Sequence, residues 1–140
     1  MNATNELYRI CAETPSVETY LRLRLEAGMS AKSPEAARIG LPNSWHAVTV
    51  FRGDEPVGMG RIIGDGGCVF QIVDIAVARG HQGRGLGKQI MTELVRALEQ
   101  HAPDKAYVSL IADGDARFLY EKFGFRPTAP ASIGMYRVMT

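Results

Sequence analysis

The sequence predicts a mixed α/β fold, with antiparallel hairpins first and a β-α-β unit after them. Three observations carry that prediction. Residues 68–77 form a nearly continuous apolar run, interrupted only by Gln71 and Asp74, as expected of a central strand covered on both faces. A Gly-rich turn follows at once, and then a helical stripe of Ile90, Met91, Leu94, Val95 and Leu98. Residues 106–112 return as a second apolar strand, which completes a parallel crossover.

The remaining elements follow in chain order. Residues 8–11 read as a short first strand. Thr14, Pro15, Ser16 and Glu18 mark a helix start, with a hydroxyl cap, a proline in the first turn and an acid behind it. Val17, Leu21 and Leu25 then recur at helical spacing, Tyr20 and Leu23 widen the apolar face, and Gly28 ends the helix. Residues 29–33 form a connector, and Ser33, Pro34 and Glu35 open a shorter helix that stops near Gly40 to Pro42. Residues 45–51 and 56–63 read as hairpin strands around a turn at 52–55, with a second turn at 64–67. The helix after the Gly-rich turn spans 86–98. Beyond the 106–112 strand, a short helix carrying Tyr120 ends at Gly124, and residues 133–139 supply a last strand after a loop at 127–130.

A chain of 140 residues, 46% hydrophobic and 22% charged, has the profile of one domain large enough to bury a core. Its formal charge of +1 is spread without long runs of one sign, which gives no footprint for nucleic acid or a membrane surface. Cys11 and Cys68 lie far apart, without a Cys-x-x-Cys spacing or a neighbouring His at ligand spacing. Neither a disulfide framework nor a metal site is expected, and a reducing cytoplasm fits. Residues 1–9 hold no apolar leader core, and no apolar stretch approaches the ~18 residues of a membrane span.

The chemistry concentrates at residues 79–88, Arg-Gly-His-Gln-Gly-Arg-Gly-Leu-Gly-Lys. Glycines let a chain adopt positive φ and approach a ligand closely, while the unpaired N–H groups that open a helix favour an anion. Arg84 and Lys88 add positive charge. A P-loop is excluded, because it needs Gly at 82 and Ser or Thr at 89, where this chain has Gln82 and Gln89. The dinucleotide fingerprint Gly83-x-Gly85 should continue with Gly at 88, which is Lys88, and its Gly-rich turn belongs after the first strand.

What remains, Gln82-x-x-Gly85-x-Gly87 between a strand and a helix, resembles the pyrophosphate loop of the GNAT superfamily of acyl-CoA-dependent N-acetyltransferases. A second block, residues 116–125 with Tyr120 and the closing Lys122-x-Gly124-Phe125, is similar to that family's second signature, in the same order and spacing. The resemblance implies a single GNAT-like domain over residues 1–140, with a central mixed, largely antiparallel sheet, helices on both faces and a splayed β-α-β acetyl-CoA site. On this chain it places the cofactor on Gln82, Gly83, Arg84, Gly85, Leu86, Gly87 and Lys88, with Ala116 beside them. Pantetheine would pair with the backbone of Ile75, Ala76 and Val77, as an added strand does. At position 113 the family commonly carries Asn to contact pantetheine, and this chain has Asp113.

The implied reaction needs a neutral amine, yet an alkylamine of pKa about 10 is only about 0.1% neutral at pH 7. Asp74, the only carboxylate in the central strand, is the candidate base or amine-binding group; the other reading makes it a brace for a strand bulge. By resemblance the Ile75 N–H is the oxyanion donor, and Tyr120 protonates the leaving thiolate. Ala116, Leu119, Tyr120 and Phe123 share a helix face, which turns the phenol inward. His81 is expected to be solvated or phosphate-adjacent. Direct transfer from acetyl-CoA to a small-molecule amine, without a metal, is the leading reading. Cys68 has no His partner for a covalent route. Transfer to a protein amino terminus or a lysine, and a non-catalytic acyl-CoA-binding module, are the alternatives. The family also admits a homodimer.

Overall fold

The computed structural model describes residues 7–140. The reading of residues 1–9 as lacking a leader falls largely outside the described residues. The chain divides into two compact units, one ending at Ser109 and one spanning Leu110–Thr140.

The first unit contains strands β1 (Tyr8–Cys11), β2 (His46–Arg52), β3 (Glu55–Gly64), β4 (Val69–Val77) and β5 (Tyr107–Ser109). Its helices are α1 (Val17–Glu26), α2 (Pro34–Gly40) and α3 (Leu86–His101). The strands form one sheet in the order β1-β2-β3-β4-β5, antiparallel except for the parallel β4–β5 pair. Helix α3 buries Leu86, Ile90, Met91, Leu94, Ala97 and Leu98, close to the predicted stripe. Hydroxyls cap α1 and α2: Ser16 Oγ accepts from the Thr19 N–H and Ser33 Oγ from the Ala36 N–H, so Pro34 opens α2 as expected whereas Pro15 lies before α1 rather than in its first turn.

The two faces of the sheet can be read from adjacent residues of β3. A Cβ on Gly60 would lie 2.6 Å from Ile90 Cγ2 and 3.1 Å from Leu94 Cδ1, so α3 packs on that face at glycine distance. Arg61, one residue on, points to the opposite face, where it meets Asp74 of β4 and the Tyr20 ring of α1. Gly60→Val should therefore overpack the α3 face and cost about 1–3 kcal/mol, read as a lower urea midpoint with an unchanged slope. An unchanged midpoint would show that α3 yields freely at Gly60.

Three sequence expectations are corrected. The buried face of α1 is Tyr20, Leu23 and Arg24, whereas Leu25 is exposed, because an ion pair draws Arg24 inward and rotates the face. The 106–112 strand is cut to Tyr107–Ser109, where its pairing with β4 stops. Residues 133–139 form no strand. Ile133, Met135, Tyr136, Val138 and Met139 are exposed, and β propensity without a pairing partner does not make a strand.

Candidate active site

β4 carries a bulge. Met59 pairs with Ala76 and Arg61 with Val73, so Asp74 and Ile75 together oppose the single residue Gly60. Asp74 takes φ 60°, a left-handed conformation that Asp tolerates better than most residues. On its other side β4 pairs with β5 only from Val69 to Gln71. The edge from Ile72 to Val77, which includes Ile75, Ala76 and Val77, has no register partner on β5.

The Gly-rich turn lies at the end of that edge. A 3₁₀ turn, Arg79–His81, leads through Gln82 to Gly83 and Gly85 at φ 78° and 80°. A Cβ on either glycine would meet nothing within 4 Å, so the space before the turn is open. Gly85 is the left-handed N-cap of α3 and, as a glycine, brings no side-chain cap to this helix terminus. The first-turn N–H groups of Leu86, Gly87 and Lys88 have no acceptor within the helix, and the dipole's positive end adds to their pull on an anion. Leu86 offers only its backbone, since its side chain is buried in the core, whereas Arg84 and Lys88 are exposed.

Two braces hold the turn. The Gln82 side-chain amide donates to the Val77 carbonyl at 3.0 Å, folding the loop back on the strand it leaves. Tyr8 on β1 holds the other side: its hydroxyl lies 2.8 Å from His81 Nδ1 and accepts from Arg84 Nη1 at 3.0 Å. His81, expected to be solvated or phosphate-adjacent, is thus half-buried and bonded within the turn. Sequence reasoning missed Tyr8, because its partners lie more than seventy positions away and no motif marks it.

Asp74 is 9% exposed and engaged on both oxygens. Oδ1 accepts from Arg24 Nη1 at 2.5 Å; Oδ2 accepts from Arg61 Nε at 2.8 Å and from the Tyr20 hydroxyl at 3.1 Å. Burial first, and then the Asp74 charge, push the Tyr20 hydroxyl up, so it remains a donor.

The second unit holds Tyr120, Asp113 and Ala116. Helix α4 (Ala116–Glu121) half-buries Ala116, Leu119 and Tyr120 while exposing Arg117, Phe118 and Glu121. The Ala116 N–H donates to the Asp113 carbonyl at 3.1 Å. Tyr120 lines a cleft of about 260 Å³ with Leu110, Ala112, Arg117, Phe125 and Thr128. Burial, and secondarily the Asp113 charge, push its phenol up.

Among the described residues no group of three His, Cys, Asp or Glu side chains could hold a metal ion, and no helix is long and apolar enough to cross a membrane.

Known proteins share this fold. Residues 24–134 match the family model for the acetyltransferase (GNAT) domain. A probable acetyltransferase from methicillin-resistant Staphylococcus aureus has the same fold with a TM-score of 0.90. It is 48% identical, and the match covers 94% of this chain and 99% of that one. A GNAT-family protein of Streptococcus pneumoniae is 25% identical, with a TM-score of 0.75 over 94% and 98% of the two chains. Among curated relatives, a chloroplastic GCN5-related N-acetyltransferase of Arabidopsis thaliana is 36% identical over 57% of this chain, and a histone acetyltransferase of Glycine max is 31% identical over 66%. The matched regions span only 30% and 42% of those two proteins. A family model that covers residues 24–134, together with a fold shared over 94% of the chain, shows that this chain belongs to the GNAT acetyltransferase family.

Proposed function

We propose that this protein transfers an acetyl group from acetyl-CoA to a primary amine of a small molecule, by direct attack within a ternary complex. One observation carries the reading: a helix terminus whose N-cap is a glycine without a side-chain cap, behind two left-handed glycines, stands at the end of a strand whose edge lacks a partner on β5. The terminus suits a diphosphate and the edge suits the amide-rich pantetheine arm.

Acetyl-CoA supplies a thioester, hence an activated acetyl group and a thiolate leaving group. In this reading Gln82, Gly83, Arg84, Gly85, Leu86, Gly87 and Lys88 bind the diphosphate, chiefly through backbone N–H groups. Ile75, Ala76 and Val77 align the arm, with Asp113 and Ala116 as further contacts. The Ile75 N–H, freed from the ladder register by the bulge, stabilises the developing oxyanion; one such donor is typically worth about 3 kcal/mol. Tyr120 holds at Oη the proton that the leaving sulfur takes. Asp74, with three donors on its oxygens, acts as the brace of the bulge, which leaves amine deprotonation to water. Unpaired Cys11 and Cys68 support a reducing, cytoplasmic setting. The exposed apolar side chains at 133–139 support a homodimer.

Calorimetry with coenzyme A tests the cradle. Gly85→Val places a β-branched side chain at φ 80°, with left-handed strain of about 1–2 kcal/mol. Affinity should fall about tenfold or more in a protein that stays folded by circular dichroism. No heat of association with the wild type, or full affinity in the variant, would sink the proposal.

A further inference from the structure

The first unit holds another cleft, of about 210 Å³, walled by Tyr20, Ala37, Gly40 and Leu41 together with Lys32 and Arg61. Its charged lining is two cations and no carboxylate. The charge beneath it is also unbalanced. Arg24 and Arg61 share one carboxylate, Asp74, and all three side chains are only 7–11% exposed. Among the described residues no other acid forms an ion pair with either guanidinium. A buried surplus of charge is costly unless a counter-charge lies close.

The open valence can be traced to one atom. Arg24 spends Nη1 on Asp74 and its other nitrogens on the Ser30 carbonyl and hydroxyl. Arg61 spends Nε on Asp74 and Nη1 on the Ser44 hydroxyl and the Gly40 carbonyl, while Nη2 has no partner among the described residues. No fully buried side-chain nitrogen in the described chain lacks a partner, so Nη2 meets solvent, and Arg61 lines the cleft. Lys32 is exposed and enters no ion pair among the described residues. Tyr20 and Arg61 both bond to Asp74 Oδ2, and Asp74 directly precedes Ile75 in the bulge. The cationic cleft is therefore built onto the residue next to the proposed oxyanion donor.

We propose that the acceptor amine also carries an anionic group, a carboxylate or a phosphate, held in this cleft by Lys32 and the Nη2 edge of Arg61. A guanidinium edge and an ammonium suit an oxyanion in both charge and hydrogen-bond direction. The inference rests on the acetyl-transfer reading and narrows its substrate class.

The test is thiol release from acetyl-CoA with matched amines: 4-aminobutyrate against 4-aminobutanamide, and O-phosphoethanolamine against ethanolamine. The first pair probes a carboxylate and the second a phosphate. In at least one pair the anionic member should have a kcat/KM about ten- to a hundredfold higher. Lys32→Glu, an exposed change whose folding is checked by its melting temperature, should bring that ratio to about unity or below. Equal stimulation by both members of each pair, or a preference that Lys32→Glu leaves intact, overturns the anionic acceptor while acetyl transfer stands. If coenzyme A gives heat but no amine stimulates release, acetyl transfer itself fails and the inference falls with it.

Discussion

Tyr120→Phe should lower kcat for acetyl transfer by about 10²- to 10⁴-fold and leave the affinity for coenzyme A nearly unchanged. The substitution removes one oxygen from a half-buried ring and leaves the apolar face of α4 intact. A role confined to packing would give the reverse pattern: a small change in melting temperature with turnover preserved. Thiol release under saturating acetyl-CoA, set beside calorimetry on the same variant, separates the two. Turnover within a factor of about three of the wild type would remove Tyr120 from the chemistry.

In the proposed mechanism the same phenol should set the alkaline limb of the pH profile. An acid catalyst works in its protonated form, so activity is retained below its pKa and lost as pH rises through it. Burial and then the Asp113 charge hold Tyr120 above the ordinary phenol value of about 10. The limb should accordingly fall above that value, while the acidic limb reports deprotonation of the acceptor amine. Asp113→Asn removes the smaller cause and keeps the larger. The alkaline limb should then move to lower pH while staying above that of a free phenol. A limb that stays in place, or moves up, would mean that a different group is titrating.

Legibility in the sequence follows the range of the interactions involved. The turn at 82–88 can be read from the chain because its chemistry is local: left-handed glycines, an open helix terminus and two cations within a few positions. The β3–β4 hairpin and the stripe of α3 are legible for the same reason, since their periods and turn residues lie within a short window. Tyr8 and Arg24 are not. Tyr8 braces the turn through His81 and Arg84, and Arg24 is buried through Asp74, partners that only the fold brings within reach. A periodicity argument treats arginine as an exterior residue, and so it misplaces the buried face of α1. Residues 133–139 fail in the opposite sense, because apolar and β-branched composition marks what could pair and not whether it does. The bulge is an intermediate case: an acid inside an apolar strand flags position 74, but only the register shows that two residues there face one.

Removing the Asp74 carboxylate should produce a stability loss as large as that of truncating a buried core side chain in the first unit. Asp74→Ala leaves Arg24 and Arg61 buried together with no counter-charge, and losing one partner from a buried ion pair costs about 3–5 kcal/mol. Two contributions are mixed in that figure, and a second substitution separates them. Alanine at φ 60° also bears left-handed strain of about 1–2 kcal/mol, which asparagine largely escapes because its short polar side chain tolerates that region. Asp74→Asn keeps an oxygen for one donor but removes the negative charge, so its deficit is mainly electrostatic. Urea unfolding should rank the wild type above Asn and Asn above Ala, with the Asn–Ala gap near the strain energy. A brace and a base also differ in kinetics. If Asp74 only holds the bulge, the folded fraction of Asp74→Asn should keep a normal slope of rate against pH below the amine pKa. If Asp74 takes the amine proton, that slope changes while stability falls little. An asparagine variant as stable as the wild type would show that the two guanidiniums do not depend on this carboxylate, and the brace assignment would fail.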